Sequence, residues 1–502
     1  MDNNSKIILK ILSIKKQGKT VALLHGVFDL IHSGHIEYFR EARRLCDILV
    51  VSITTDKYVN KGIGRPYFKI QQRVKNLKEI KLIDYIIEND HETPVNIIKK
   101  LRPNYYIKGS DYSKKENDIT GNISKEIKAI KSVGGKFITT NSVLFSSTKI
   151  LNTEFDTIND DLKKIIKLID KNKISKEIRN LIKNKINKKI LIIGEQIIDE
   201  YTYVQPTGKS AKNNIIASQF LNKKIFGGGT ILVANIFEKF VSEVDLVTFD
   251  NSYNNNLLKK TLNKKINRIN IKDNNAKIIT KNRYLDSYSE KTLFQVNTND
   301  TLKLSSKSQL KLNKIIKDSH KKYDVIIYFN FGHGFFSNKQ IKIINQKTSK
   351  NYVNCQSNSS NFGFNLVNKF KKGNCICMDS TEFRLNFQDR FSTIKQLILK
   401  NFKLISKFKT YVITLGKNGC YIINNRKIYF VPTININPKD ATGSGDVFFS
   451  IFIIFSILKK FNYTEIGVLS HLAGGIHASF TGNHNILNPT SLLRSFESLS
   501  KN

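Results

Sequence analysis

A chain of 502 residues is too long for one ordinary domain, and at 40% hydrophobic and 10% aromatic it can bury more than one core. Its 82 Lys and Arg against 41 Asp and Glu leave a formal net charge of +41, with the lysines spread among Asn and Ile rather than gathered in a block. That spread reads as compositional drift, or as a field that draws phosphorylated substrates; a polyanion-binding surface is the alternative, and no nucleic-acid partner is expected.

Five cysteines, Cys46, Cys355, Cys375, Cys377 and Cys420, form no CxxC pair and have no histidines at zinc spacing. This argues against a zinc centre and for a reducing cytosol. The first 19 residues carry neither a long apolar stretch nor a cleavage signature, and the longest apolar run, 447–458, is far short of a membrane span. A cytoplasmic protein with no membrane partner is expected.

Along the chain, VALLHGVF (Val21–Phe28), DILVVSI (Asp47–Ile53) and NYYIKG (Asn104–Gly109) read as buried strands. Between the first two, Ile36, Phe39, Ala42 and Leu45 fall at helical spacing. Alternation of this length predicts an α/β domain over 1–152, doubly wound on a parallel sheet whose ligand sits at the carboxyl ends of the strands. Residues 153–188 turn Lys-, Asp- and Ile-rich without Gly or Pro and read as a helical linker. A second α/β pattern over 189–502 opens with KKILIIGE and includes DVIIYFN, TYVITLG and an apolar helix after Gly445. Within it, the Asn- and Lys-rich residues 251–283 read as loops and edge elements.

The first candidate site follows the first strand. Asp29-Leu30-Ile31-His32-Ser33-Gly34-His35 puts two histidines at the opening of a helix, where free N–H groups and the dipole favour a phosphate and Gly34 lets it approach the backbone. Two imidazoles there can donate to charge growing on an α-phosphate, without a protein nucleophile. A capped turn with core histidines is the alternative reading.

GVFDLIHSGH resembles the signature of the cytidylyltransferase-like superfamily, and companion motifs follow in order: Lys61, Arg65-Pro66, Arg73, Lys108-Gly109-Ser110-Asp111-Tyr112 and Phe145-Ser146-Ser147-Thr148-Lys149-Ile150. The resemblance covers residues 20–151. It implies that His32 and His35 stabilise the transition state, that Lys61 neutralises phosphate charge, and that Ser147 and Thr148 hold the triphosphate. Gly26, Phe28, Lys108, Gly109 and Asp111 would complete the nucleotide site. Lys61 could instead be a solvated loop residue, and Arg73 a helix-surface one.

The second candidate site is Asp440-Ala441-Thr442-Gly443-Ser444-Gly445-Asp446. Glycines before a helix let N–H groups converge into an anion hole, and Asp446 can accept a proton from an attacking hydroxyl. The alternative is that Asp446 only caps the helix. The surrounding chain, about 189–490, resembles the ribokinase-like (PfkB) sugar kinases. Gly194, Asp199 and Tyr201 look like the first-strand motif of that family, with Asp199 on sugar hydroxyls. Gly227-Gly228-Gly229 looks like its sugar-contacting segment, with Asn330 a further substrate contact. Asp379 and Glu382 sit at NxxE spacing, which implies an indirect magnesium role, and Thr414, Gly416 and Gly419 fit the TxGxxG turn near the nucleotide. Gly443, Ser444 and Gly445 would hold the transferring phosphate. Four positions depart from the pattern: Glu195 and Asn330 stand where the family has Asp, Asp379 where it has Asn, and Ile231 near the place of a sugar-contacting Asn.

Together the two resemblances are similar to the bifunctional heptose-phosphate kinase and heptose-1-phosphate adenylyltransferase type, with the domain order reversed. They imply an enzyme (nucleotidyltransferase and carbohydrate kinase) making a nucleotide-activated, heptose-like sugar for surface polysaccharide. Magnesium, ATP or CTP, a sugar phosphate and candidate potassium would be its small-molecule partners, and a homo-oligomer its expected form. The alternatives are a cytidylyltransferase for a polyol phosphate such as glycerol 3-phosphate with an attached kinase, and a transferase with a decayed, sugar-sensing kinase domain.

Overall fold

The computed structural model describes residues 3–59, 65–109, 122–140, 160–210, 212–434, 438–483 and 486–500. The chain divides into two compact units, 1–157 with 493–502, and 158–492.

In the first unit, strands β1 (Val21–Gly26), β2 (Ile48–Thr54), β3 (Tyr85–Asn89), β4 (Tyr105–Lys108) and β5 (Lys136–Thr139) form a parallel sheet in the order β3-β2-β1-β4-β5. The two-residue period of β1 explains its two covered faces. Val21 and Leu23 pack against helices Asn3–Lys16, Val95–Leu101 and Asn122–Ser132, while Ala22 and Leu24 pack against Ser33–Arg43 and Ile70–Lys78. The strand order reverses between β1 and β4, which opens a crevice at their carboxyl ends.

The second unit opens with helices Asp160–Leu168 and Lys171–Lys183. In the latter, Ile174, Ile178 and Leu181 are buried at helical spacing, Asp170 caps the N-terminus, and Lys173 pairs with Glu465 at 2.9 Å. Strands β6 (Ile186–Gly194), β7 (Gln196–Lys209), β8 (Ile216–Gly229), β9 (Val241–Asp250), β10 (Asn267–Lys272), β11 (Ile279–Asp286) and β12 (Thr292–Thr298) come next. They are followed by β13 (Val325–Asn330), β14 (Asn351–Cys355), β15 (Gly373–Asp379), β16 (Phe408–Thr414), β17 (Cys420–Asn424) and β18 (Lys427–Val431). Nine of these strands form one sheet, β10-β9-β6-β13-β14-β15-β16-β17-β18, parallel except for the last two pairings. A separate four-stranded sheet has the order β12-β11-β7-β8.

The apolar run after Gly445 is the buried helix Ser444–Leu458, packed against Tyr463–Ala478 and Thr230–Phe240. Residues 251–283, expected as loops and edges, contain helix Ser252–Thr261, the edge strand β10 and the start of β11, an interior strand of the smaller sheet. Partners on both sides hold β11 despite its polar composition. The five cysteines are unpaired, and among the described residues no helix is long and apolar enough to cross a membrane.

Candidate active sites

In the first unit, β1 ends at Gly26 and Phe28 turns the chain in a left-handed conformation (φ 48°). Its buried ring lies edge-on to His35. The imidazoles of His32 and His35 lie 3.9 Å apart by centroid at the start of helix Ser33–Arg43, where His32 is the N-cap. Burial holds His32 below its ordinary pKa, so at neutral pH it is an uncharged imidazole.

The turn is held from behind. Buried Asp29 accepts the backbone N–H groups of Tyr67 and Phe68 at 2.8 and 2.9 Å and faces Arg65 at 3.3 Å. Arg73 is fully buried, not on a helix surface. It donates to the carbonyls of Val27, Thr54 and Phe68 and pairs with Asp56 at 2.6 Å, tying together the ends of β1 and β2 and the loop before its own helix. Lys108, at the end of β4, donates to the His25 carbonyl at 3.3 Å and lies 3.8 Å from Glu126, with Gly109 next in the chain. Lys61, Asp111, Ser147 and Thr148 lie outside the described residues.

The second unit holds a cleft open to solvent. Asp199, Gly228, Gly443 and Asp446, all anticipated, line it. A Cβ on Gly228 would come within 2.1 Å of Asp199 Oδ2, so only glycine lets that carboxylate reach the cleft. Gly443 (φ 78°) is the N-cap of helix Ser444–Leu458, and the Ser444 hydroxyl is buried with no hydrogen-bond partner among the described residues. Gly445 follows in the first turn of that helix. Asp440 fixes the turn by accepting from the Tyr201 hydroxyl and from the N–H groups of Thr442 (2.9 Å) and Gly482 (3.0 Å).

Asp446 does not cap its own helix. Its Oδ1 accepts a hydrogen bond from Gln356 Nε2 at 2.6 Å, and burial pushes its pKa up to about 7. Asp199 accepts from Arg283 at 2.6 Å and from Asn483 at 3.4 Å. Lys281 lines the same cleft, its pKa lowered by burial.

Other anticipated residues stand elsewhere. Asn330, expected at the substrate, does not line the cleft; its Oδ1 accepts from Gly332 N–H at 3.0 Å. Glu195 is wholly buried, accepts from Phe331 and His333 N–H groups, and is raised in pKa by burial. Ile231 is buried in the helix core, and Leu232 lines the cleft instead. On the same helix, Asn235, outside the motifs read in the sequence, donates to the Thr261 carbonyl and accepts from Asn263 N–H, and does not line the cleft. Gly227 gives its carbonyl to Asn483 at 2.7 Å.

Asp379 and Glu382 form a reciprocal capping box; Glu382 Oε1 also accepts Ser357 N–H, and burial raises Glu382 to about 8. With both oxygens on backbone donors, Glu382 does not fit direct magnesium ligation, whereas the exposed Asp379 fits a water-mediated role. Thr414 donates to the Met378 carbonyl at 3.4 Å at the end of β16, and Gly416 and Gly419 (φ 56° and 104°) make the turn into β17. None of these five lines the cleft. Sequence reasoning missed Lys281, Arg283, Gln356 and Asn483. The alternating charges of Lys281 and Arg283 in ITKNRYLD were the one local signal for a strand with a functional face.

The cytidylyltransferase-like family matches residues 23–175, and the pfkB family of carbohydrate kinases matches residues 187–476. Bifunctional protein HldE of Campylobacter fetus subsp. fetus is 35% identical over 145 residues, 28% of this chain and 30% of that protein. Its namesake from Campylobacter concisus is 37% identical over 151 residues, 30% of each. The chain thus spans about 30% of the length of these curated relatives, within its nucleotidyltransferase part, and its domain order is the reverse of theirs. Phosphofructokinase-2 of Escherichia coli in complex with potassium shares the fold, with a TM-score of 0.50 at 11% identity over 63% of this chain and 100% of that one. The same enzyme with substrates and products gives 0.50 at 12%, over 62% and 99%. The chain carries a nucleotidyltransferase domain of the cytidylyltransferase-like type and, over more than half its length, belongs to the pfkB family of carbohydrate kinases.

Proposed function

We propose that this protein phosphorylates a sugar at one site and joins a sugar phosphate to a nucleotide at the other, making a nucleotide-activated, heptose-like sugar for surface polysaccharide. The observation that carries the reading is the cleft in which Asp446, Asp199 and the Gly443 helix start converge. Asp199 orients the acceptor. Its hydroxyl gives a proton to Asp446 while its oxygen bonds to the γ-phosphorus of ATP; the bond to the β–γ bridging oxygen breaks and ADP leaves. The helix N-terminus and the Ser444 hydroxyl receive the charge on the phosphoryl group. Lys281 and Arg283 give the cleft two cations, which favours an acceptor that is itself phosphorylated.

At the first site, an oxygen of the sugar phosphate attacks the α-phosphorus of a nucleoside triphosphate and pyrophosphate leaves, with His32 and His35 donating to the charge that develops. Lys61, Ser147 and Thr148 are assigned to the triphosphate by motif alone. Asp379 would hold magnesium through water, and the ion, when bound with the nucleotide, would neutralise phosphate charge. Potassium is a further candidate, since the phosphofructokinase-2 of similar fold is seen with it. We place the transferase at 1–152, the helical linker at 153–188 and the kinase at 189–502, in a cytoplasmic homo-oligomer.

The reading is tested by pyrophosphate release with each of four nucleoside triphosphates across sugar 1-phosphates and polyol phosphates, alongside ATP-dependent phosphorylation of heptose 7-phosphate. CTP with glycerol 3-phosphate as the best pair would replace heptose by a polyol. Absence of phosphorylation with every acceptor would leave a sensing domain.

A further inference from the structure

Gln356 follows β14 and is gripped on both sides of its backbone. Its N–H donates to the Asn330 carbonyl at 2.9 Å, and its own carbonyl accepts from Asn365 Nδ2 at 2.7 Å. The side chain is thereby delivered to Asp446, where Nε2 donates to Oδ1 at 2.6 Å. The next residue, Ser357, gives its N–H to Glu382 at 2.7 Å. Two adjacent residues therefore hold two carboxylates: Asp446, the proton acceptor of the kinase reading, and Glu382 of the capping box with Asp379. Neither Gln356 nor its bond belongs to the motifs that pointed to the site.

We propose that Gln356 is a positioning residue of the kinase: its amide fixes Oδ1 of Asp446 and leaves Oδ2 to take the proton of the acceptor hydroxyl. The proposal rests on the kinase reading above. An amide suits the task because it favours the ionised carboxylate without adding a charge. An ammonium in its place would pull the pKa of Asp446 down and weaken it as a base. An apolar side chain would leave it unoriented and, buried as it is, harder to ionise. The other ionisable groups around Asp446 are Lys281 on β11, Asp199 on β7, Cys377 on β15 and Glu382, with Arg283 held by Asp199. A change at residue 356 alters none of them directly.

The test compares full-length Gln356→Leu and Gln356→Lys with the parent protein. ATP-dependent phosphorylation of heptose 7-phosphate and of fructose 6-phosphate is followed from pH 5.5 to 9. In Gln356→Leu the acid limb of kcat should move up by about one pH unit, with kcat down by about tenfold and KM for ATP unchanged. In Gln356→Lys the limb should move down. Shifts of opposite sign are not produced by general loosening of the fold. Carbon-13 NMR titration of the Asp446 carboxyl, assigned with Asp446→Asn, reads the same displacements without turnover. Displacements seen there in a protein that phosphorylates neither acceptor would sustain the Gln356–Asp446 coupling and overturn the kinase reading. An Asp446 titration that stays in place in both variants would overturn the proposal, as would loss of ATP affinity in step with kcat.

Discussion

The single imidazole of His35 is the smallest unit on which the transferase reading stands. It is proposed to act only on charge that exists in the transition state, so His35→Ala should lower pyrophosphate release by about two to three orders of magnitude. Sugar phosphorylation by the same variant should stay within about twofold of the parent. Asp446→Asn should do the reverse, ending phosphorylation while ATP affinity, measured by calorimetry, is kept by the helix start and the turn after β16. Asp446 accepts a proton only when ionised, and burial raises its pKa to about 7. Kinase kcat/KM should therefore fall as pH drops through about 7 and level off above it, a limb absent from the transferase profile.

At the scale of elements, the cleft is made by pairing that no local stretch of sequence displays. The parallel register of β7 and β11 sets Lys281 beside Asp199 and Arg283 beside Tyr201, so alternate residues of two distant strands share one face. The motifs around Asp199, Gly228, Gly443 and Asp446 were legible because their chemistry lies in a few consecutive residues. Lys281, Arg283, Gln356 and Asn483 were not, because they reach the cleft from β11 and from segments outside those motifs, and their roles depend on register or on a partner about 80 to 280 residues away. Ile231 and Asn330, two of the four positions that depart from the kinase pattern, do not line the cleft, so the local motif did not show which side chains meet the acceptor. The alternation of β1 and the apolar runs of the large sheet were readable directly, because burial on both faces leaves little freedom in residue type. Arg283 and Asp199 form a nearly buried pair, so Arg283→Met should leave an uncompensated carboxylate and cost about 3–5 kcal/mol in urea unfolding of the second unit. Lys281→Met leaves that pair in place. It should lower kcat/KM for phosphorylated acceptors by about ten- to a hundredfold and affect neutral sugars less.

Over the whole molecule, the two candidate sites lie in separate compact units. If the sugar phosphate is released between steps, a mixture of His35→Ala and Asp446→Asn proteins should restore overall conversion to about half the parent rate at equal total protein. Product formation from sugar, measured with the mixture and with each variant alone, checks this.

The smaller sheet ends in β8, a 14-residue strand at its edge. Its outer half exposes Ile216, Phe220 and Leu221 beside Lys223 and Lys224, and β12 at the other edge exposes Phe294 and Val296. Such edges tend to join, and the charge of +41 opposes it by mutual repulsion. That repulsion reaches only about 10 Å at 0.1 M salt and about 3 Å at 1 M. The colloidal behaviour of this protein should accordingly run opposite to that of one whose copies meet through ion pairs. Added sodium chloride should promote self-association, seen as a light-scattering mass that rises between 0.05 and 0.5 M, and Phe220→Lys should blunt the rise.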